Sequence, residues 1–185
     1  MAYHPRERSM RRIATAMFAA AIAVSAPGAR AQAVPEGFAS ELLRQFDGSM
    51  QKFIALAEAM PASAYGWSPG PDVMTVARVY GHVVRYNYLY PATSLGVPAP
   101  SNRDAAATED ITDKAQLVAL LRESREHVQR AIRGLPADLA QPTRLYGREV
   151  TQAAVLLQLV AHMNEHLGQS IAYARSNNVV PPWSR

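Results

Sequence analysis

Residues Val155 to Met163 read Val-Leu-Leu-Gln-Leu-Val-Ala-His-Met, within a longer helical stretch from Thr151 to about Asn177. Its polar side chains Gln158, His162, His166, Gln169 and Tyr173 recur at spacings of four, four, three and four. On an α-helix these positions share one face. A helix that is apolar nearly all round is buried on most faces. A polar line through it must then be satisfied from within, because an unpaired buried polar group costs about 1–3 kcal/mol. The chain must therefore surround this helix with partners that bring polar groups or a cation to that line.

Three other segments show helical periodicity. In Glu36 to Met60, Leu42, Leu43, Phe46, Met50, Phe53, Ile54 and Ala57 form one apolar stripe ended by Pro61. Thr75 is an N-cap candidate for a second helix running to about Tyr90, where Pro91 stops it. Asp113 to Gly134 places Leu117, Leu121, Ser124, Val128 and Ala131 on one face, with Arg and Glu on the others. Residues 91–111 are a connection longer than an antiparallel turn requires. No window alternates as a strand. The expected class is all-α, a four-helix bundle with a long crossover connection.

The chain has no cysteine, which excludes thiolate ligation, disulfides and haem attachment, so a metal must use imidazole, carboxylate or backbone oxygen. Two imidazoles four residues apart on a helix can converge on one cation at about 2.0–2.1 Å from each nitrogen. One histidine on an apolar helix is more often a hydrogen-bonded core residue than a ligand. The pair His162 and His166, with His82 as a third histidine amid apolar neighbours, shifts the balance toward a metal site. His127, set among Arg125, Glu126, Gln129 and Arg130, reads as solvated and without a role. His162-Met163-Asn164-Glu165-His166 also matches the H-x-x-E-H string of a class of zinc proteases. That class needs an acidic ligand well downstream in a much larger fold, which the 19 residues after His166 do not provide. A Met/His haem bundle is a weaker reading still, since the methionines beyond the N-terminal segment read as core fillers.

The string His162-x-x-Glu165-His166-Leu167-Gly168-Gln169, followed by Tyr173-Ala174-Arg175 and by Val179-Val180-Pro181-Pro182-Trp183-Ser184, resembles a known pattern. It is similar to the H-x-x-x-H-x-G-Q helix and Pro-Pro tail of the DinB-like (damage-inducible) four-helix-bundle proteins. That superfamily includes YfiT-like proteins assigned as metal-dependent hydrolases and thiol transferases. Tyr65-Gly66-Trp67-Ser68-Pro69 resembles the family's aromatic-Pro loop before its first histidine helix. The resemblance covers essentially all of residues 32–185. It implies an up-down-down-up bundle and one metal ion held by His82, His162 and His166. It also implies a Gly168 kept small for close helix packing, with Gln169 and Tyr173 as pocket or supporting groups. Tyr86, one turn after His82, is a further pocket candidate by spacing. Glu165 is the carboxylate of this helix to consider as a catalytic base, and Trp67 is expected to pack over the bundle end.

The N-terminus reads as a leader. Arg6, Arg8, Arg11 and Arg12 stand against Glu7 alone, Ile13 to Ala26 are apolar or small, and Ala29-Arg30-Ala31 offers a small-x-small cleavage site. A signal peptide at 1–31 and a mature domain at 32–185 are expected, with export to the periplasm or beyond the cell. Met10 would serve equally as the start. The apolar run is shorter than the roughly 20 residues needed to span a bilayer, so no stable membrane anchor is expected after cleavage. The leader holds five of the 19 Lys+Arg and one of the 15 Asp+Glu, leaving 14 of each. With the charge balanced, no basic footprint for nucleic acid remains.

Three neutral imidazoles leave the charge of a divalent ion uncompensated and a coordination position open, as in catalytic zinc sites. The expected cofactor is a divalent metal ion, zinc or nickel. The expected function is a metal-dependent enzyme of hydrolase or thiol-transferase type acting on a small molecule. The alternative is a non-catalytic metal-binding or stress-response protein. Self-association into a homodimer stays open.

Overall fold

A computed structural model describes residues 37–136 and 138–184; the expected signal peptide lies outside the described residues. Four helices carry the fold: α1 (Phe38–Ala59), α2 (Val76–Ser94), α3 (Lys114–Arg133) and α4 (Gln152–Ser176). Thr75, Asp113 and Thr151 cap the last three, each side chain accepting from the backbone N–H three residues on. Such caps contribute about 1 kcal/mol apiece. None of the described helices is long and apolar enough to cross a membrane.

Each helix packs against two others, α1 on α4 and α3, and α2 on α3 and α4. Consecutive helices α1 and α2 are thus diagonal. The directions follow from the side-chain pairs. Early Asp47 of α1 meets late Arg125 of α3, and Lys114 at the start of α3 reaches the Glu58 and Met60 carbonyls at the end of α1, so these two run antiparallel. Asn87 of α2 donates to Ser124 of α3, and Tyr88 packs on His127 at 5.0 Å, so α2 and α3 are parallel. Tyr90 lies beside Gln158 and His82 beside His166, so α2 and α4 are antiparallel. The bundle is up-down-down-up, as expected. A parallel α2–α3 pair obliges the chain between them to return along the bundle, which explains the long connection.

Phe46, Met50, Phe53 and Leu56 of α1 meet Val79, Tyr80 and Val83 of α2, Leu117 and Leu121 of α3, and Val155, Leu156 and Met163 of α4 in one core. Full burial of such side chains stabilises by roughly 1.5–3 kcal/mol each. Met50, Met60 and Met163 are core fillers, as expected, and Met74 is partly buried against the same core.

Four local expectations are corrected. Pro91 does not stop α2, which continues one turn to Ser94; near a helix end the missing N–H forfeits a single bond, and Leu95 N–H closes the turn onto the Pro91 carbonyl. Two strands are present, β1 (Pro142–Leu145) and β2 (Arg148–Thr151), an antiparallel hairpin pairing Pro142 with Thr151 and Leu145 with Arg148. An isolated hairpin is marginal in water; this one is docked, with Ser94 Oγ donating to the Arg144 carbonyl, Thr143 Oγ1 donating to the Ser94 carbonyl, and Leu145 buried. Helix α4 is not buried nearly all round: Leu157, Ala161, Glu165, Gly168 and Ala172 line an exposed face. His127 is buried rather than solvated, because its charged sequence neighbours project from other faces of α3.

Candidate metal centre

His82 reaches the interior from α2 at a place where the helix backbone is bare. A Cβ on Gly81 would stand 2.1 Å from the Thr108 carbonyl oxygen, so only glycine lets the turn Ala106–Asp110 lie against α2. Thr108 Oγ1 donates to the Gly81 carbonyl at 2.9 Å and fastens the contact. The next residue, Glu109, thereby delivers its carboxylate to His82, whose Nδ1–H donates to Oε1 at 3.0 Å. Arg85 donates to the same oxygen at 2.9 Å, and Arg78 to the other at 3.3 Å.

His166 has a parallel support on α4. Its Nδ1–H donates to Gln169 Oε1 at 2.8 Å, Gln169 Nε2 donates to the Tyr173 hydroxyl at 2.9 Å, and that hydroxyl donates to the Met74 carbonyl at 3.1 Å. A hydrogen bond at Nδ1 fixes the tautomer and leaves Nε2 with its lone pair. His162 Nε2 stands 3.2 Å from His166 Nε2, close to the separation of about 3.3 Å that two nitrogen ligands of a tetrahedral ion require. One ligand atom from each of the three histidines lies within 4.8 Å of the others. Among the described residues, this is the one group of three or more potential ligands gathered so closely.

Two of the three rings, His82 and His162, are held toward the neutral form. Burial, reinforced by His166 and His82, pushes His162 down to about 3. Burial also lowers His82, against the opposing bond from Glu109. Although burial raises Glu109, the bonds from Arg85 and His82 outweigh it and keep this carboxyl below its ordinary value. His82 and His162 therefore offer uncharged nitrogen donors beside a carboxylate that stays ionised, which suits a divalent cation.

The other sequence candidates separate. Tyr86 faces the cluster, its ring 4.6 Å from His82 and 4.7 Å from His162. Gln169 and Tyr173 act behind His166, and Trp67 packs on Tyr173 at 5.2 Å, away from the ligand nitrogens. Glu165 is exposed and makes no hydrogen bond among the described residues. Gly168 is not a packing glycine, since an added Cβ would meet nothing within 4 Å; Gly81 is. Sequence reasoning missed Glu109. Its one sequence signal, an acidic residue in a long connection, carries no address. A surface groove of about 660 Å³ between α1 and α3 contains none of the three histidines.

A family profile described as the DinB superfamily matches residues 45–170. The chain belongs to the DinB superfamily. A DinB-like protein from Bacillus cereus superposes with a TM-score of 0.66 at 17% identity, covering 83% of this chain and 98% of the other. YfiT from Bacillus subtilis, described as a probable metal-dependent hydrolase with an unusual four-helix bundle topology, superposes with a TM-score of 0.63 at 18% identity, covering 80% and 91%. At these identities the likeness establishes the fold. No curated protein matches the chain.

Proposed function

We propose that this DinB protein is a metal-dependent enzyme acting outside the cytoplasm, with one zinc or nickel ion held by His82, His162 and His166. The donor set carries the reading: three converging imidazoles, two with Nδ1 already hydrogen-bonded, and no carboxylate among them. Such a set leaves a divalent ion its full charge and an open position, the arrangement of catalytic rather than closed structural sites. When bound, the ion supplies Lewis acidity and acidifies water or a thiol. The protein's part is orientation. Glu109 holds the proton of His82 on Nδ1, the chain from Gln169 through Tyr173 to Met74 does the same for His166, and Tyr86 covers the rings of His82 and His162 on one side. Hydrolysis is favoured over thiol transfer because low-molecular-weight thiols are scarcer in an oxidising compartment.

The test is to recover the protein from the extracytoplasmic fraction of an expressing cell and measure its N-terminus and metal content. A mature chain starting at Gln32 with stoichiometric metal is expected, and metal should be lost in His82→Ala and in His162→Ala. Stoichiometric metal surviving in either variant sinks the three-histidine site. An intact leader on cytoplasmic protein refutes export.

A further inference from the structure

The tip of the hairpin holds a conformation that its residues do not favour. The turn from Leu145 to Arg148 has φ of 50° at Tyr146 and 77° at Gly147. Both central positions are positive, as in a type I′ turn, where Asn or Asp normally precedes Gly. The other described non-glycine residues at positive φ are Asp72 and Asn178, types that tolerate the left-handed region. A bulky tyrosine there is an outlier. Burial does not compensate, because Tyr146 is 61% exposed, more than any other large apolar residue described.

What holds this ring is a contact directed toward the histidines. The Tyr146 hydroxyl hydrogen-bonds that of Tyr90, with Gln158 Nε2 3.5 Å away. Gln158 lies four residues, about 6 Å along the helix, before His162. Tyr90 and Tyr146 have ring centroids 6.0 Å apart, Tyr86 and Tyr90 5.1 Å, and Tyr86 and His162 4.7 Å. Three tyrosine rings thus run in contact from the exposed tip to the cluster. The hairpin is tied to Ser94 of α2 by two hydrogen bonds, so the tip is held in place. Strain retained by an exposed side chain beside a reactive centre is the pattern of a ligand-facing residue.

We propose that Tyr146, with Tyr86, forms the wall of a substrate site that receives a planar aromatic group. The substrate class is an aromatic ring bearing an oxygen-donor function directed at the metal. This deepens the proposed function and rests on it. Aromatic pairs are attractive in offset or edge-on arrangements at centroid separations of about 4.5–7 Å, and the exposed face of Tyr146 is free for such a partner.

The test uses the full protein loaded with cobalt(II), whose visible spectrum reports ligands at the metal, titrated with benzohydroxamate and with acetohydroxamate. The two probes share the metal-binding head and differ in the ring. The parent should bind benzohydroxamate about tenfold more tightly. Tyr146→Asn restores the residue that a type I′ turn favours, so the hairpin persists, while the preference should fall to within about twofold and acetohydroxamate affinity should hold. Equal binding of both probes to the parent, or an unchanged preference in Tyr146→Asn, overturns this inference alone. A protein that takes up no cobalt overturns the metal reading and this inference with it.

Discussion

Gly81→Ala perturbs the support behind His82 without touching any candidate ligand. The new Cβ would stand 2.1 Å from the Thr108 carbonyl oxygen and 2.8 Å from its carbon, whereas ordinary contact begins at 3.4 Å. Both are backbone atoms, so the whole turn must retreat by about 1.3 Å. That displacement breaks the 2.9 Å bond from Thr108 to the Gly81 carbonyl and stretches the 3.0 Å contact between Glu109 and His82 beyond hydrogen-bond range. Overpacking costs about 1–3 kcal/mol, and losing a bond to a charged group costs about 1.5–3 kcal/mol. Replacing a helical glycine with alanine returns about 1 kcal/mol. The net expectation is a destabilisation of about 1.5–5 kcal/mol, with zinc affinity lowered about 10- to 100-fold by loss of the support to a ligand. Gly168→Ala is the matched control: nothing lies within 4 Å of its Cβ, so it should gain about 0.5–1 kcal/mol and keep parental zinc affinity. Urea unfolding of the metal-free proteins and chelator competition for zinc read both quantities. A Gly81→Ala protein as stable as its parent, with parental zinc affinity, would refute the reasoning.

Two other perturbations test the centre. Glu109→Gln keeps an acceptor for His82 Nδ1–H but removes the charge, so it should weaken zinc binding less than Glu109→Ala; equal losses in a competition titration would show that the hydrogen bond does not matter. In the metal-free protein, burial lowers His82, His127 and, to about 3, His162, all below the ordinary value of 6.5. The unfolded chain therefore binds more protons once the pH drops below 6.5, so the stability from these neutral rings is complete above that value and is lost as pH falls toward the folded-state values. His162 alone contributes a slope of at most about 1.4 kcal/mol per pH unit. The urea midpoint should decline from pH 7.5 to pH 5, and a flat or rising midpoint would contradict buried neutral imidazoles.

Spacing alone determined much of this protein. The line from Gln158 to Tyr173 and the stripe from Leu42 to Ala57 are local helical arithmetic, and Thr75, Asp113 and Thr151 cap their helices with their own side chains. Periodicity reports which residues share a face; it does not report what that face will meet. Whether His127 is wet, whether Gly81 or Gly168 is the close approach, and whether Glu109 or Glu165 serves the cluster all depend on pairings between segments distant in sequence. The parallel run of α2 and α3 sends the connection back along the bundle and brings Glu109 to His82, 27 positions earlier in the chain. The hairpin was illegible for the same reason, since its short strands are stable only when docked on Ser94. The sequence by itself determined the donor line of α4. Tertiary structure decided its supports and its aromatic border, because those contacts exist only once non-local packing has offset the entropy of closing the long connection.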